Sequence, residues 1–169
     1  LAKFLIAEGY KNVKVYAAGM PNWKKAGFET TKRKVIAPQE KADKKIEIVH
    51  GVAKGVDEGS VDGEWFKSKL NKLSSNLQIV DVRPKADFNT GHLKGAINIY
   101  AEEMSPKEFY KALPKNKTIV ISCVSGGRAL EAWMKLNDAN LDVSKIFYFD
   151  AYIDCTNNQC KIEVNEPLD

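Results

Sequence analysis

Cys123 stands where two sequence patterns meet. It ends the apolar run Thr118-Ile119-Val120-Ile121-Ser122 and opens Cys123-Val124-Ser125-Gly126-Gly127-Arg128, which leads into the amphipathic stretch Ala129 to Ala139. A strand that delivers a thiol into a Gly-containing loop at a helix N-terminus is an arrangement for making a thiolate. Successive backbone N–H groups and the positive end of the helix dipole stabilise the anion and lower a thiol pKa from about 8.5 into the range of roughly 3.5 to 7.5. A buried structural cysteine is the competing reading. The loop's glycines and its closing Arg128 favour reactivity, because a purely structural cysteine needs neither.

Cys155 and Cys160 flank the turn-rich Thr156-Asn157-Asn158-Gln159 and precede the alternating Ile162-Glu163-Val164. That pattern reads as a short hairpin whose flanking cysteines face each other at disulfide distance. Three states are open to the pair: a disulfide, two reduced thiols, or the C-x4-C half of a metal site that has no obvious His partner. An oxidised pair points to an exported protein and leaves Cys123 as the odd, reactive thiol. The sequence begins with Leu1 rather than Met, which is compatible with a removed signal peptide, so export is favoured weakly over the cytoplasm and the compartment stays open.

These residues must be positioned by elements that the rest of the chain supplies. A composition of 44% hydrophobic and 28% charged residues describes a soluble globular protein, and no apolar run approaches the roughly 18 residues needed to span a bilayer. Residues 1–45 hold eleven Lys/Arg against four Asp/Glu, and residues 46–169 hold fifteen against eighteen, so the basic character lies away from the cysteine loop. The N-terminal lysines are dispersed among apolar residues without a recognition motif, which argues for a solvated surface and against nucleic acid.

Residues 1–9 read as the end of a helix closed by Gly9, followed by a short strand through Val13 and Val15 and a loop at Met20-Pro21-Asn22-Trp23. One helix and one strand cannot bury their own faces. Phe4, Leu5, Val13, Val15, Met20 and Trp23 are therefore expected to pack on the second unit, on a missing fragment or on another copy of the chain. Residues 31–45 read as a linker. From residue 46 the pattern predicts a strand at Ile46–Val49, a helix from Asp62 to Leu73 with Phe66, Leu70 and Leu73 on one face, and a strand from Leu77 to Val82 of the kind buried in parallel sheets. A short strand from Gly95 to Tyr100 follows, then a helix through Leu113 opened by the capping box Ser105-Pro106-Lys107-Glu108. Strand Thr118–Ser122 precedes Cys123, a helix with Leu130, Trp133 and Met134 facing the core follows it, Asn140 takes the closing turn, and Ile146–Phe149 is the last strand. This alternation implies an α/β fold with a mostly parallel sheet flanked by helices on both faces.

With these pieces in place, Leu77 to Asp150 resembles the rhodanese (sulfurtransferase) family. The matching stretches are Asp81-Val82-Arg83, the run Asp87-Phe88-Asn89-Thr90-Gly91-His92-Leu93-Lys94-Gly95-Ala96-Ile97-Asn98-Ile99, and the loop Cys123 to Arg128. The opening Gly9 to Gly27 looks like the end of a preceding rhodanese domain. The resemblance thus implies a tandem arrangement in which residues 1–30 are the C-terminal fragment of a first rhodanese-like domain, a partial second copy, and residues 46–169 are the catalytic domain with its C-terminal cysteine hairpin.

The resemblance implies a chemistry. Cys123 would attack the outer sulfur of a small anionic donor such as thiosulfate, become a persulfide and pass that sulfur to a thiophilic acceptor, either a small molecule or a protein thiol. Backbone N–H groups of Val124, Ser125, Gly126, Gly127 and Arg128 would cradle the persulfide, and Arg128 would also orient the loop and an anionic substrate. No cofactor, metal, nucleic acid or membrane enters this chemistry. Phosphatases that share the fold are similar but place five residues between Cys and Arg, where this chain has four, and the tighter loop favours sulfur over phosphoryl transfer. The chain departs from the family at Val124, where thiosulfate sulfurtransferases often carry Arg. It departs again from the Gly-Ser-Gly-Val-Thr loop associated with mercaptopyruvate, and at Asp150-Ala151-Tyr152, where Gly-Gly and Trp are usual. Asp81 and Arg83 are expected to form a structural ion pair or loop anchor, His92 to hydrogen-bond a turn, and His50 and Trp65 to pack. The alternative function is a rhodanese-like binding or sulfur-carrier module without turnover.

Overall fold

Successive apolar residues at 79–80, 119–121 and 146–149 cannot all point to one side of a strand, since side chains alternate between faces. The chain meets this by burying both faces of one sheet. The computed structural model describes residues 46–156 and 159–165. Its elements in chain order are β1 (Ile48–Val49), β2 (Val52–Ala53), α1 (Gly63–Lys69), β3 (Leu77–Asp81), α2 (Lys85–Thr90), β4 (Ile97–Asn98), α3 (Pro106–Ala112), β5 (Thr118–Ser122), α4 (Gly127–Asp138), β6 (Ile146–Tyr148), β7 (Ala151–Thr156) and β8 (Gln159–Val164). Four strands form a parallel sheet in the order β4-β3-β5-β6. The expectations for residues 1–45, including the partial second copy, the linker and the packing of Phe4 to Trp23, lie outside the described residues.

Each face of the sheet has its own cover. Val80, Ile119, Ile121, Ile146 and Tyr148 point to one side, where α3 contributes Phe109 and α4 contributes Ala129, Ala132, Trp133 and Leu136. Ile79, Val120, Phe147 and Phe149 point to the other, where Phe66 of α1, Val52 of β2 and Ile153 of β7 close over them. Phe66 meets Phe149 edge-on with ring centroids 4.9 Å apart. Each fully buried side chain of this size stabilises the fold by roughly 1.5–3 kcal/mol relative to exposure. The sheet is therefore flanked by helices on both faces, as its apolar pattern requires, and one flank is shared with hairpins.

The order of strands creates the place for a site. From β3 the chain runs out to β4, then returns through α3 to β5 on the opposite side of β3. Loops leaving the carboxyl ends of β3 and β5 diverge at such a reversal, and the crevice between them is where open α/β sheets bind ligands. Asp81-Val82-Arg83 leaves β3 there, and Cys123 leaves β5.

Local details differ from expectation in several places. Ile46 stays outside the first strand, and Ile48–Val49 instead pairs antiparallel with Val52–Ala53 across a two-residue turn. Both turn residues, His50 (φ 51°) and Gly51 (φ 85°), are left-handed, the conformation that matches hairpin twist. His50 is thus exposed on a turn rather than packed, and its carbonyl accepts a hydrogen bond from Thr118 Oγ1 at 2.8 Å. The helix expected to run to Leu73 ends as α-helix at Lys69 and tightens into a 3-10 turn over Leu70–Lys72. Helix α2 was not signalled, and in α4 it is Ala129, Ala132, Trp133 and Leu136 that are buried, with Leu130 and Met134 half-buried beside them. Asn140 takes its closing turn with φ 53°.

The capping box of α3 is complete: the Glu108 N–H donates to Ser105 Oγ, and the Ser105 N–H donates to Glu108 Oε2 at 2.9 Å. The Ser105 hydroxyl and backbone hold the Glu108 carboxyl below the usual carboxylate range. A Ser105→Ala protein should lose roughly 0.5–2 kcal/mol of stability in urea unfolding. A depressed folded-state pKa contributes stability above the unfolded value and loses it as pH falls through the folded value, so the gap between wild type and variant should narrow on acidification.

Candidate functional site

Strand β5 is buried at all five positions and ends at Cys123, which is 3% exposed. The chain then turns through half-buried Val124 and exposed Ser125 to Gly126, whose φ of 85° admits few residues other than glycine. Gly127 begins α4. Helices α1 and α3 are capped by their own side chains, Asp62 and Ser105, whereas α4 has glycine at its cap and no side chain bonded there. Its first N–H groups lack intrahelical acceptors, as at every helix N-terminus, and no side chain caps them. The loop residues named from the sequence, Cys123 to Arg128, are therefore brought together in one turn.

Partners distant in sequence fix that turn. The Ile153 N–H of β7 donates to the Val124 carbonyl at 2.7 Å. Asn165, just beyond β8, donates through Nδ2 to the Ser125 carbonyl at 3.1 Å and to Asp150 Oδ1 at 2.5 Å. Asp150 fills the space a side chain on residue 126 would need: a Cβ on Gly126 would lie 1.9 Å from Asp150 Oδ1. Gly126 is thus required twice, for its backbone conformation and for this approach.

Asp81 and Arg83 make a buried, bidentate pair. Arg83 donates to both carboxylate oxygens of Asp81, at 3.0 Å and 3.1 Å from Nε and 2.8 Å from Nη2, and the Arg83 N–H adds a bond of 3.0 Å. The hydrogen bond to Asp81 raises the guanidinium pKa against the opposing effect of burial, and the charges of Asp81, Asp87 and Cys123 add to it. Arg83 Nη2 also donates to the Gly91 carbonyl at 2.7 Å. The pair anchors the α2–β4 segment to the end of β3.

That anchored segment touches the cysteine hairpin. Cys155 and Cys160 are opposite each other in the β7–β8 register and are joined in a disulfide, the first of the three states open to them. A Cβ on Gly91 would lie 2.2 Å from the Cys155 carbonyl oxygen, and Cys160 Sγ, with no proton to donate, rests 3.5 Å from the His92 carbonyl. His92 places Nδ1 2.9 Å from the Phe88 carbonyl and stacks on the Phe88 ring, a turn-holding arrangement. Trp65 is half-buried at the edge of the α1 cluster.

Arg128, on the first turn of α4, is exposed and holds Nε 3.9 Å from Glu102 Oε2. Glu102 also accepts from the Tyr100 hydroxyl at 3.0 Å, a bond that is the first cause of a raised Tyr100 pKa. Glu102 and Asn165 are site neighbours that local sequence pattern does not reveal, because each meets its partner only through folding, whereas Asp150 stands where the sequence departs from the family it resembles, just after β6. A cavity of about 190 Å³ opens here, with Val82, Ala101 and Ala132 as its apolar wall and Arg128 and Glu102 at its rim. A free thiol at a strand end, just before a helix that no side chain caps, suits a nucleophilic sulfur that exchanges with another sulfur. Among the described residues no cluster of His, Cys, Asp and Glu is placed to hold a metal, and no helix is long and apolar enough to cross a membrane.

The model of the rhodanese-like domain family matches residues 62–151, just over half of the chain. The match spans Asp81, Arg83 and the whole Cys123 loop and stops before most of the disulfide hairpin. No curated protein matches the chain. Among solved structures, a rhodanese-related protein from Thermoplasma volcanium is 22% identical over 53% of this chain and 80% of its own, with a TM-score of 0.41. A rhodanese-like domain protein from Staphylococcus aureus is 23% identical over 62% of this chain and 95% of its own, also with a TM-score of 0.41.

Proposed function

Because the chain belongs to the family of rhodanese-like domains, we propose that it is a sulfurtransferase that carries a sulfane sulfur as a persulfide on Cys123. The observation that supports this best is the buried Cys123 at the mouth of an uncapped helix, in a loop braced by Ile153 and Asn165. The Cys123 thiolate attacks the outer sulfur of a donor such as thiosulfate, a polysulfide or an organic persulfide. A bond forms between Sγ and that sulfur, the donor's S–S bond breaks, and the electron pair leaves with the remaining donor fragment, sulfite in the case of thiosulfate. An acceptor thiolate then attacks the outer sulfur of the persulfide and returns the pair to Cys123 Sγ. No oxidant or reductant is consumed.

The proposed roles of the other residues follow from position. N–H groups of Val124 to Arg128 stabilise the persulfide anion, Arg128 meets the incoming donor, and Asp81 with Arg83 holds the neighbouring segment in place. The test is intact mass after incubation with each donor without reductant. A gain of one sulfur atom supports transfer through Cys123, and no gain from any donor sinks it. The second reading, a binding or sulfur-carrier module without turnover, is favoured by the 3% exposure of Cys123. It predicts that a loaded protein fails to release its sulfur to free thiols.

The brace gives a further expectation. Asn165→Ala removes one donor from the Ser125 carbonyl, and a net hydrogen bond of about 1 kcal/mol corresponds to roughly a three- to tenfold fall in the rate of sulfur loading. A time course of the same mass gain checks it.

A further inference from the structure

We infer that Asp150 is a positioning residue for sulfur loading, acting through Asn165 to fix the Ser125–Gly126 peptide of the Cys123 loop. This rests on the sulfur-transfer reading above. Residues 150 and 165 meet because the β7–β8 register pairs Ala151 with Val164, and the Asn165 N–H donates to the Asp150 carbonyl at 3.2 Å. The disulfide between Cys155 and Cys160 joins the strands near their turn. Val164 is seated against the start of α1, where a Cβ on Gly63 would lie 2.2 Å from its Cγ1. Asn165 thus follows a strand held at both ends.

The contacts of the Asn165 side chain admit one orientation. Nδ2 lies 3.1 Å from the Ser125 carbonyl and 2.5 Å from Asp150 Oδ1. A carbonyl and a carboxylate can only accept, so the amide must present its nitrogen to both, one hydrogen to each. The bond to the carboxylate is the stronger kind, because its acceptor is charged. Asn165 is exposed, and without Asp150 water competes for the amide and one of its two anchors is lost.

One tied carbonyl aims a donor. In a planar trans peptide the carbonyl and the following N–H point opposite ways. Holding the Ser125 carbonyl on Asn165 therefore turns the Gly126 N–H away from the hairpin, and the bond from Ile153 to the Val124 carbonyl does the same for the Ser125 N–H. Among the described residues neither of these N–H groups is bonded to an acceptor. Both stay available to the persulfide anion that the proposed reaction forms. Asp150 also limits movement of the loop towards itself, since a Cβ on Gly126 would meet its Oδ1 at 1.9 Å.

The test is the rate of sulfur loading from inorganic polysulfide, followed by intact mass without reductant. It compares wild type with Asp150→Ala, Asp150→Asn, Asn165→Ala and the double variant Asp150→Ala, Asn165→Ala, and a melting curve of each shows that it is folded. Asp150→Ala should load roughly three- to tenfold more slowly than wild type. Asp150→Asn keeps an acceptor oxygen and should stay within about twofold of wild type. If Asp150 acts through Asn165, the double variant loads no more slowly than Asn165→Ala alone, whereas independent effects would multiply to roughly ten- to a hundredfold. General loosening of the fold produces neither the rescue by asparagine nor this non-additivity. Multiplying effects, an Asp150→Asn protein as slow as Asp150→Ala, or an Asp150→Ala protein at the wild-type rate overturns the inference while leaving sulfur transfer standing. A wild-type protein that takes up no sulfur overturns sulfur transfer and the inference with it.

Discussion

A Cys123→Ser protein should take up no sulfur from any donor, while the wild-type chain gains one atom per molecule. The chain holds three cysteines, and with Cys155 and Cys160 joined to each other only Cys123 is free. In the absence of reductant the mass gain therefore has a single place to reside. Serine keeps nearly the same shape, but its hydroxyl is barely ionised near neutral pH and forms no stable bond of this type with sulfane sulfur, so the whole signal is expected to vanish rather than fall by a fraction. Placing a hydroxyl at a position 3% exposed costs about 1–3 kcal/mol if it finds no partner. A Cys123→Ala protein, which carries no polar atom, separates loss of chemistry from loss of fold. Both variants should fail to load, and the alanine protein should melt closer to wild type. Residual uptake in either one would place the accepting sulfur in the hairpin and remove Cys123 from its role.

The parts of this site that local pattern could disclose are those built by contiguous residues. Thr118 to Ser122 is apolar enough to demand burial on both faces, and the glycines that follow can only open a loop, so the thiol and its helix were readable as one unit. Ser105 and Glu108 likewise announce α3 three residues apart. Helix α2 escaped notice because it has six residues, follows Pro84, buries none of its side chains fully and so offers no apolar period. The first hairpin escaped because His50, not Asn or Gly, takes the left-handed turn position. The brace was beyond reach for a different reason: Asn165 meets Ser125 at 40 residues' separation. A donor at that distance leaves no spacing to read, and only the course of β7 and β8 decides that it arrives.

The second large effect concerns the end of β3. Asp81 is 3% exposed and is the acceptor for three side-chain contacts from Arg83. Asp81→Ala leaves that guanidinium charged and short of partners in a site where its side chain is only 11% exposed. Breaking a buried pair from one side costs about 3–5 kcal/mol, which for a domain of this size lowers the melting temperature by roughly 10–20 °C. The loss should spread, because Arg83 also holds the Gly91 carbonyl, and Gly91 packs against Cys155 near the turn of the hairpin whose other end braces the Cys123 loop. Sulfur loading is therefore expected to fall along with stability. The pair's net worth is a separate quantity. An Asp81→Leu, Arg83→Met double variant removes both charges and should recover much of the lost stability, since desolvation of the pair offsets most of its attraction. Recovery should stop short of wild type because the Gly91 carbonyl keeps no donor in place of Nη2. If the double variant melts no higher than Asp81→Ala, the stranded charge is not the source of the loss.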